Sequence, residues 1–294
     1  MTLRVSDSQA QRSFLRNLRM VRAEMFDALD RMNSGKRVRY ASDDPYSSSE
    51  LMRLQEESQL LEARRRGISQ SRAWLELSEQ AVNQMGDMLN RGLTYAIQAS
   101  SETNQQSGLD AIAEQVSGLI NQVRNLATYR VSGNYIFSGT MTNVPPYDDT
   151  GAYQGNNSPI RIPLDGQTLE INFTADELFG VSGVSGPLEL LERFESALQA
   201  GDTDAIQGMV EEFRDAGKKN TTILARVGTR RRLLEDADVR IQDKQVEISK
   251  RAADLGSADM AQAISDAARL QTGYQATLAA GARIFGPSFF DYLS

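Results

Sequence analysis

Apolar residues recur along this chain at the spacing of a helix face. Phe14, Leu18, Val21, Met25, Leu29 and Met32 step by fours and threes, which keeps one side of an α-helix apolar. Leu51, Leu54, Ser58, Leu61 and Ile68 continue the spacing, followed by Leu75, Val82, Met85, Leu89 and Leu93. Leu109, Ile112, Val116, Leu119, Val123 and Leu126 form a third set. Near the other end, Ile223, Val227, Leu234, Ala237, Ile241, Ile248, Ala252 and Leu255 keep register, and Ile264, Ala268, Tyr274, Leu278, Ala282 and Phe285 resume it. Seams this narrow predict coiled-coil packing rather than a thick core. A helix over 46–100 would be roughly 80 Å long at 1.5 Å per residue.

The breaks have local causes. The seven prolines stand at 45, 145, 146, 159, 163, 187 and 287, leaving 46–144 and 188–286 free of them. Proline costs about 3 kcal/mol inside a helix, so two helical arms flank a middle rich in Pro and Gly. Gly35, after Asn33-Ser34, is placed as a C-terminal cap. Ser42-Asp43-Asp44-Pro45 reads as an Asx cap with Pro at the first helical position. Asn104 to Gly108 reads as a polar turn, and Ser132-Gly133 as the end of the third helix. Between about 134 and 186 the pattern turns to β. Ile160-Arg161-Ile162-Pro163-Leu164 and Thr168-Leu169-Glu170-Ile171-Asn172-Phe173 flank Asp165-Gly166, a hairpin signal, and Pro163 assigns its strand to an edge. Leu188, Leu191, Phe194 and Leu198 predict a short amphipathic helix after Gly186-Pro187.

The predicted class is therefore mainly α: a long helical bundle or coiled-coil rod from paired N- and C-terminal arms, with a small β-rich insert. Residues 1–45 and 256–294 form a terminal helical domain, 46–140 and 203–255 a rod, and 141–202 an acidic insert.

Composition narrows the function. The 294 residues include no Cys and no His. That removes disulfides, thiolate nucleophiles, the commonest general base and the commonest transition-metal ligand. Net charge is −7, unlike a nucleic-acid binder, and no apolar run is long enough to span a membrane. Residues 1–40 carry nine Lys/Arg against four acids, whereas 140–216 carry three Arg against fourteen acids; the simplest reading of the insert is a solvated acidic face. Arg12, Arg16 and Arg19 share a helix face but lack the interleaved aromatics of a nucleic-acid surface. Gly180 to Gly186 is glycine-rich without dinucleotide spacing, and Ser34-Gly35-Lys36 lacks the upstream Gly of a P-loop. Asp43-Asp44 could ligate a cation, but capping accounts for both. Asn156, Asn172 and Asn220 match the short N-glycosylation pattern. Trp74 reads as a packing residue. No catalytic pair, cofactor site or metal site emerges. The aromatic end, with Phe285, Phe289, Phe290, Tyr292 and Leu293, is apolar where termini are usually polar, and it calls for a packing partner.

Three motifs carry a resemblance. Arg31-Met32-Asn33-Ser34-Gly35-Lys36-Arg37-Val38-Arg39-Tyr40-Ala41-Ser42-Asp43-Asp44-Pro45 resembles the N-terminal signature of the bacterial flagellin superfamily. Gly133-Asn134-Tyr135-Ile136-Phe137-Ser138-Gly139-Thr140, with Pro145-Pro146-Tyr147, is similar to its hook–filament junction branch. So is Tyr274-Gln275-Ala276-Thr277-Leu278-Ala279-Ala280-Gly281-Ala282-Arg283-Ile284, closing on Phe290-Asp291-Tyr292-Leu293. The resemblance implies a structural subunit with no cofactor, exported unfolded by the flagellar type III apparatus and assembled outside the cell. Its implied partners are other copies in a ring, the hook-side junction protein FlgK, flagellin, and the export chaperone FlgN at the C-terminal helix. It places the assembly contacts in the terminal helices. The heptads then nominate Phe14, Leu18, Val21, Met25, Leu29, Ile264, Tyr274, Leu278, Phe285, Phe289, Phe290 and Leu293. A minor flagellin, or a coiled-coil adhesin or binding module, stays open as the alternative.

Overall fold

A computed structural model describes residues 2–101, 105–148, 152–164, 166–180 and 186–285, and the side chains of these except 2–8, 10, 11, 284 and 285. Its elements are α1 (Thr2–Ser34), α2 (Pro45–Ala99), α3 (Gln106–Ala127), β1 (Arg130–Val131), β2 (Asn134–Tyr135), β3 (Arg161–Leu164), β4 (Gln167–Glu170), α4 (Ala175–Phe179), α5 (Pro187–Ala200), α6 (Thr203–Gly256) and α7 (Met260–Phe285). Two compact units divide the chain, one of Met1–Leu61 with Asp243–Ser294, the other of Glu62–Gln242.

The second unit holds the thick core. Along α2 the predicted face is buried at Ile68, Leu75, Val82, Met85 and Leu89, and along α3 at Leu109, Ile112, Val116, Leu119, Val123 and Leu126. Helix α3 packs on α5, whose Leu188, Leu191, Phe194 and Leu198 are buried as the periodicity requires. Phe194 meets Phe213 of α6 edge-to-face at 5.4 Å. Gly92 makes room for it, since a Cβ there would lie 2.6 Å from the Phe213 ring. Asn220 of α6 is buried and donates its amide to the Val82 carbonyl at 3.0 Å.

Ser132-Gly133 does not end a helix. Helix α3 stops at Ala127, and Ser132 and Gly133 have φ of 49° and 86°. They form the two-residue turn of the β1–β2 hairpin, whose register pairs Val131 with Asn134. Two successive positive φ values are what a tight hairpin turn needs. The next residues fill the core. Ile136, Phe137 and Ser138 are wholly buried. The lone tryptophan donates its indole N–H to the Ile136 carbonyl at 3.3 Å, and Phe137 stands edge-on to Phe179 at 5.3 Å. Gly139 has φ of 67°, and a Cβ on it would come within 1.9 Å of the Asn156 carbonyl, so no other residue fits.

The predicted hairpin exists as β3 and β4, with Ile162 opposite Leu169 and Pro163 opposite Thr168; Asp165 lies outside the described residues, while Gly166 has φ of 83°. It is shorter than the pattern implied. One more backbone bond, Ile171 N–H to Ile160 O, extends it, and then the Asn172 side chain accepts from the Ile160 amide at 2.7 Å. That side-chain bond replaces the next rung, and Asn172 and Phe173 turn into the core. The β character of the middle is confined to these short pairs. Helix α4 was missed because five residues are too few for a period. Thr174, three residues before Glu177, was the available signal: its hydroxyl caps the helix by accepting from the Glu177 amide at 3.3 Å.

Candidate assembly interface

In the first unit, α1 packs along α7. Leu18 and Ala28 of α1 are buried; Phe14, Val21, Met25 and Leu29 are half-buried along the same face. The matching face of α7 is Ala263, Ala267, Leu270, Tyr274, Leu278 and Gly281. This shifts the predicted seam by one residue at its start. Ile264 is 52% exposed, and Ala268 is exposed too. The physical reason is size. Helix α1 supplies bulky groups, and the residues of α7 buried most deeply against it are small: Ala263, Ala267 and Gly281. The Phe14 ring covers Gly281 so closely that a Cβ there would lie 2.4 Å from it. Counting large apolar side chains finds the bulky partner and misplaces the small one.

The signature segment ties four helix ends together. Gly35 has φ of 64° and closes α1 through its N–H to Arg31 O at 2.9 Å. The chain then pairs with the link between α6 and α7: Arg37 N–H reaches Gly256 O at 2.7 Å, and Ala258 N–H reaches Gly35 O at 2.9 Å. Arg37 also donates its guanidinium to Leu255 O at 2.6 Å, to Asp44 at 3.2 Å and to the Ser47 hydroxyl at 3.2 Å. Arg39 folds back onto α1, paired with Asp27 and, at 3.3 Å, with Asp30. Asp44 caps α2, accepting from the Ser47 amide and hydroxyl at 3.0 and 2.6 Å, with Pro45 first in the helix. These bonds hold the Asp44 carboxyl down at about 2, Ser47 contributing more than Arg37. Asp43 is lowered as well, first by the Tyr40 amide and then by that of Arg39. Asp44 thus caps α2 as expected, whereas Asp43 closes the turn before it through the Arg39 and Tyr40 amides and caps no helix; among the described residues no group of acids is arranged to hold a metal.

Several predicted residues have other fates. Phe285 ends α7, but its side chain lies outside the described residues, as do Phe289, Phe290 and Leu293 entirely. Arg12, Arg16 and Arg19 share an exposed face of α1. The three asparagines of the glycosylation pattern are occupied. Asn172 and Asn220 are buried, and Asn156 exchanges hydrogen bonds with Thr140. What the periodicity did not isolate is how much apolar surface the first unit leaves uncovered: Met20, Phe26, Tyr40, Tyr46, Met52, Leu60, Val246, Met260 and Ile264 are all more than 40% exposed.

The profile of the bacterial flagellin N-terminal helical region matches residues 5–142, the span from α1 through the Gly133–Thr140 core segment. Flagellar hook-associated protein 3 of Escherichia coli (strain K12) is 25% identical over 317 aligned positions, which cover 98% of this chain and 99% of that protein. This chain is similar over nearly its whole length to a flagellar hook-associated protein, and over residues 5–142 to the flagellin N-terminal helical region. The fold agrees. The crystal structure of Bacillus cereus FlgL superposes with a TM-score of 0.58 at 23% identity, covering 68% of this chain and 99% of that one. Flagellin of Salmonella muenchen is 24% identical over 78% of this chain but only 42% of its own length. Hook-associated proteins are thus matched from end to end and flagellin over less than half. Among the described residues no helix is long and apolar enough to cross a membrane.

Proposed function

We propose that this protein is a non-catalytic axial subunit of the bacterial flagellum that joins the hook side to the flagellin filament through its terminal helices. Residues 1–45 and 256–294 are the terminal helical domain through which copies pack, 46–140 and 203–255 the long-helix rod, and 141–202 an acidic insert. Copies form a ring outside the cell between FlgK and flagellin, after unfolded export with FlgN holding the C-terminal helix.

The observation that carries this reading is the incomplete burial of the α1–α7 pair. One face of each helix is satisfied by the other, yet Met20, Phe26, Met260 and Ile264 remain 44–56% exposed. Exposed apolar side chains on a thin helix pair gain most from further copies. The end-to-end match to a hook-associated protein favours the junction over the filament itself. Deleting 286–294 tests it: the expected outcome is loss of filament attachment with the second unit still folded. Normal filaments on such cells, or growth of the purified protein into long filaments, would overturn the assignment.

A further inference from the structure

Beside the signature segment lies a groove of about 560 Å³. Val38, Leu51, Met52, Leu54, Ile248 and Ala252 give it an apolar lining, with Lys36 and Arg39 also on it. Nothing among the described residues fills it. Met52 stands 55% exposed. The Lys36 side chain makes no ion pair among the described residues. The Arg39 side chain is only 11% exposed, and its Nε is buried with no hydrogen-bond partner.

We infer that this groove receives the terminal segment 286–294 of a second copy of the chain. This rests on the assembly reading above and names the contact through which it works. The chemistry matches. Phe289, Phe290, Tyr292 and Leu293 bring apolar side chains to an apolar trough, and Asp291 brings a carboxylate to the exposed Lys36 on its lining. Geometry excludes the chain's own segment. Helix α7 leaves the groove region at Met260 and runs 26 residues to Phe285, about 38 Å at 1.5 Å per residue. The nine residues after it span at most about 30 Å fully extended, too short to return. The occupant therefore comes from another molecule. A tail on one face and a groove on another make a heterologous contact, which propagates from copy to copy instead of closing a pair.

The absence of cysteine makes the test clean. Two differently tagged chains, one carrying Phe290→Cys and the other Met52→Cys, are co-expressed, and isolated flagella are oxidised. The expected result is a mixed disulfide between the two tags, at least about tenfold over the same tail paired with Ile97→Cys, as a fixed register demands. Both tags present in flagella without that product, or tail-to-tail dimers as the main product, would overturn the groove assignment alone. Absence of both tags from flagella would overturn the assembly reading and this contact with it. A second measurement does not need assembly. A fluorescein-labelled peptide of residues 286–294 is titrated with the full chain and followed by anisotropy. Saturable binding weakened about tenfold or more by Met52→Arg, and also weakened by Lys36→Glu, is expected of an apolar anchor beside a charge contact. Equal binding to the parent chain and to Met52→Arg would refute it.

Discussion

The two units of this molecule bury their apolar residues by different rules. Of the twelve largest fully buried side chains among the described residues, eleven lie in the second unit, five of them Phe, and Leu54 alone in the first. Of the thirteen large apolar side chains that stand exposed among the described residues, nine lie in the first unit and four, Ile97, Met141, Leu233 and Val239, in the second. The second unit has layers: α3 against α5, and the Ile136–Phe137 segment against Trp74 and Phe179. Each layer covers the last. The first unit has helix pairs and a hydrogen-bonded clasp. A helix in a pair hides one stripe, and whatever is apolar elsewhere stays in water. Apolar burial is thus largely complete within one unit, while in the other much of the apolar surface stays exposed among the described residues.

The largest break in that contrast would come from Phe137→Ala. It removes a fully buried ring, and the expected cost is about 3–5 kcal/mol. Trp74 is the chain's lone tryptophan and is itself buried in that unit, so its fluorescence during urea unfolding reads the loss directly. If the midpoint failed to move, the second unit would not owe its stability to this core. Trp74→Phe should cost less, about 1–3 kcal/mol, because it strands the Ile136 carbonyl without its donor; near-ultraviolet circular dichroism would follow it.

In the first unit, Gly281→Val drives a side chain into the space held by the Phe14 ring. Amide exchange along α1 and α7 should accelerate several-fold as the pair opens, while the tryptophan-detected midpoint stays put. A shifted midpoint would show that the two units are not energetically separable. Phe26→Ser sharpens the point further. Phe26 is 49% exposed, so monomer stability should change by no more than about 0.5 kcal/mol, yet filament attachment should fall. Full motility in that variant would mean the exposed apolar surface has no assembly role.

The smallest effect is electrostatic. The Asp44 carboxyl, near 3.9 in an unfolded chain, sits at about 2 in the folded cap. A lowered folded value means the ionised cap favours the folded state. That contribution is complete above pH 4 and disappears as pH falls through about 2. Exchange of the Ser47 amide should therefore stay slow down to roughly pH 3 and accelerate below it. Acceleration already at pH 4 to 5 would refute the cap.

Much of this was legible in the residues. Long-helix faces follow from a 3.6-residue period, because the same side chains recur on one side wherever the helix lies. Gly35 and Asp44-Pro45 announced their caps, since backbone sign and orphan amides are local matters. Other features were not legible. Ser132-Gly133 looked like a helix end because Gly serves both helix caps and hairpin turns, and only the pairing of Val131 with Asn134 separates them. Ile264 looked like seam and proved exposed, because which stripe turns inward depends on what the partner offers. Phe14 left space only for Gly281 and its small neighbours.

The sequence by itself determined the helices, their breaks, the absence of thiol and imidazole chemistry, and the segments resembling the flagellin superfamily. Each depends on residues close together along the chain or on composition. Only the tertiary structure decided which apolar residues are satisfied and which remain exposed, that Arg37 and Arg39 tie the ends of α1, α2 and α6 into one clasp, and that an apolar groove left open by the described residues lies beside it. Those depend on distances between residues some two hundred positions apart, such as Arg37 and Leu255, and no local spacing records them.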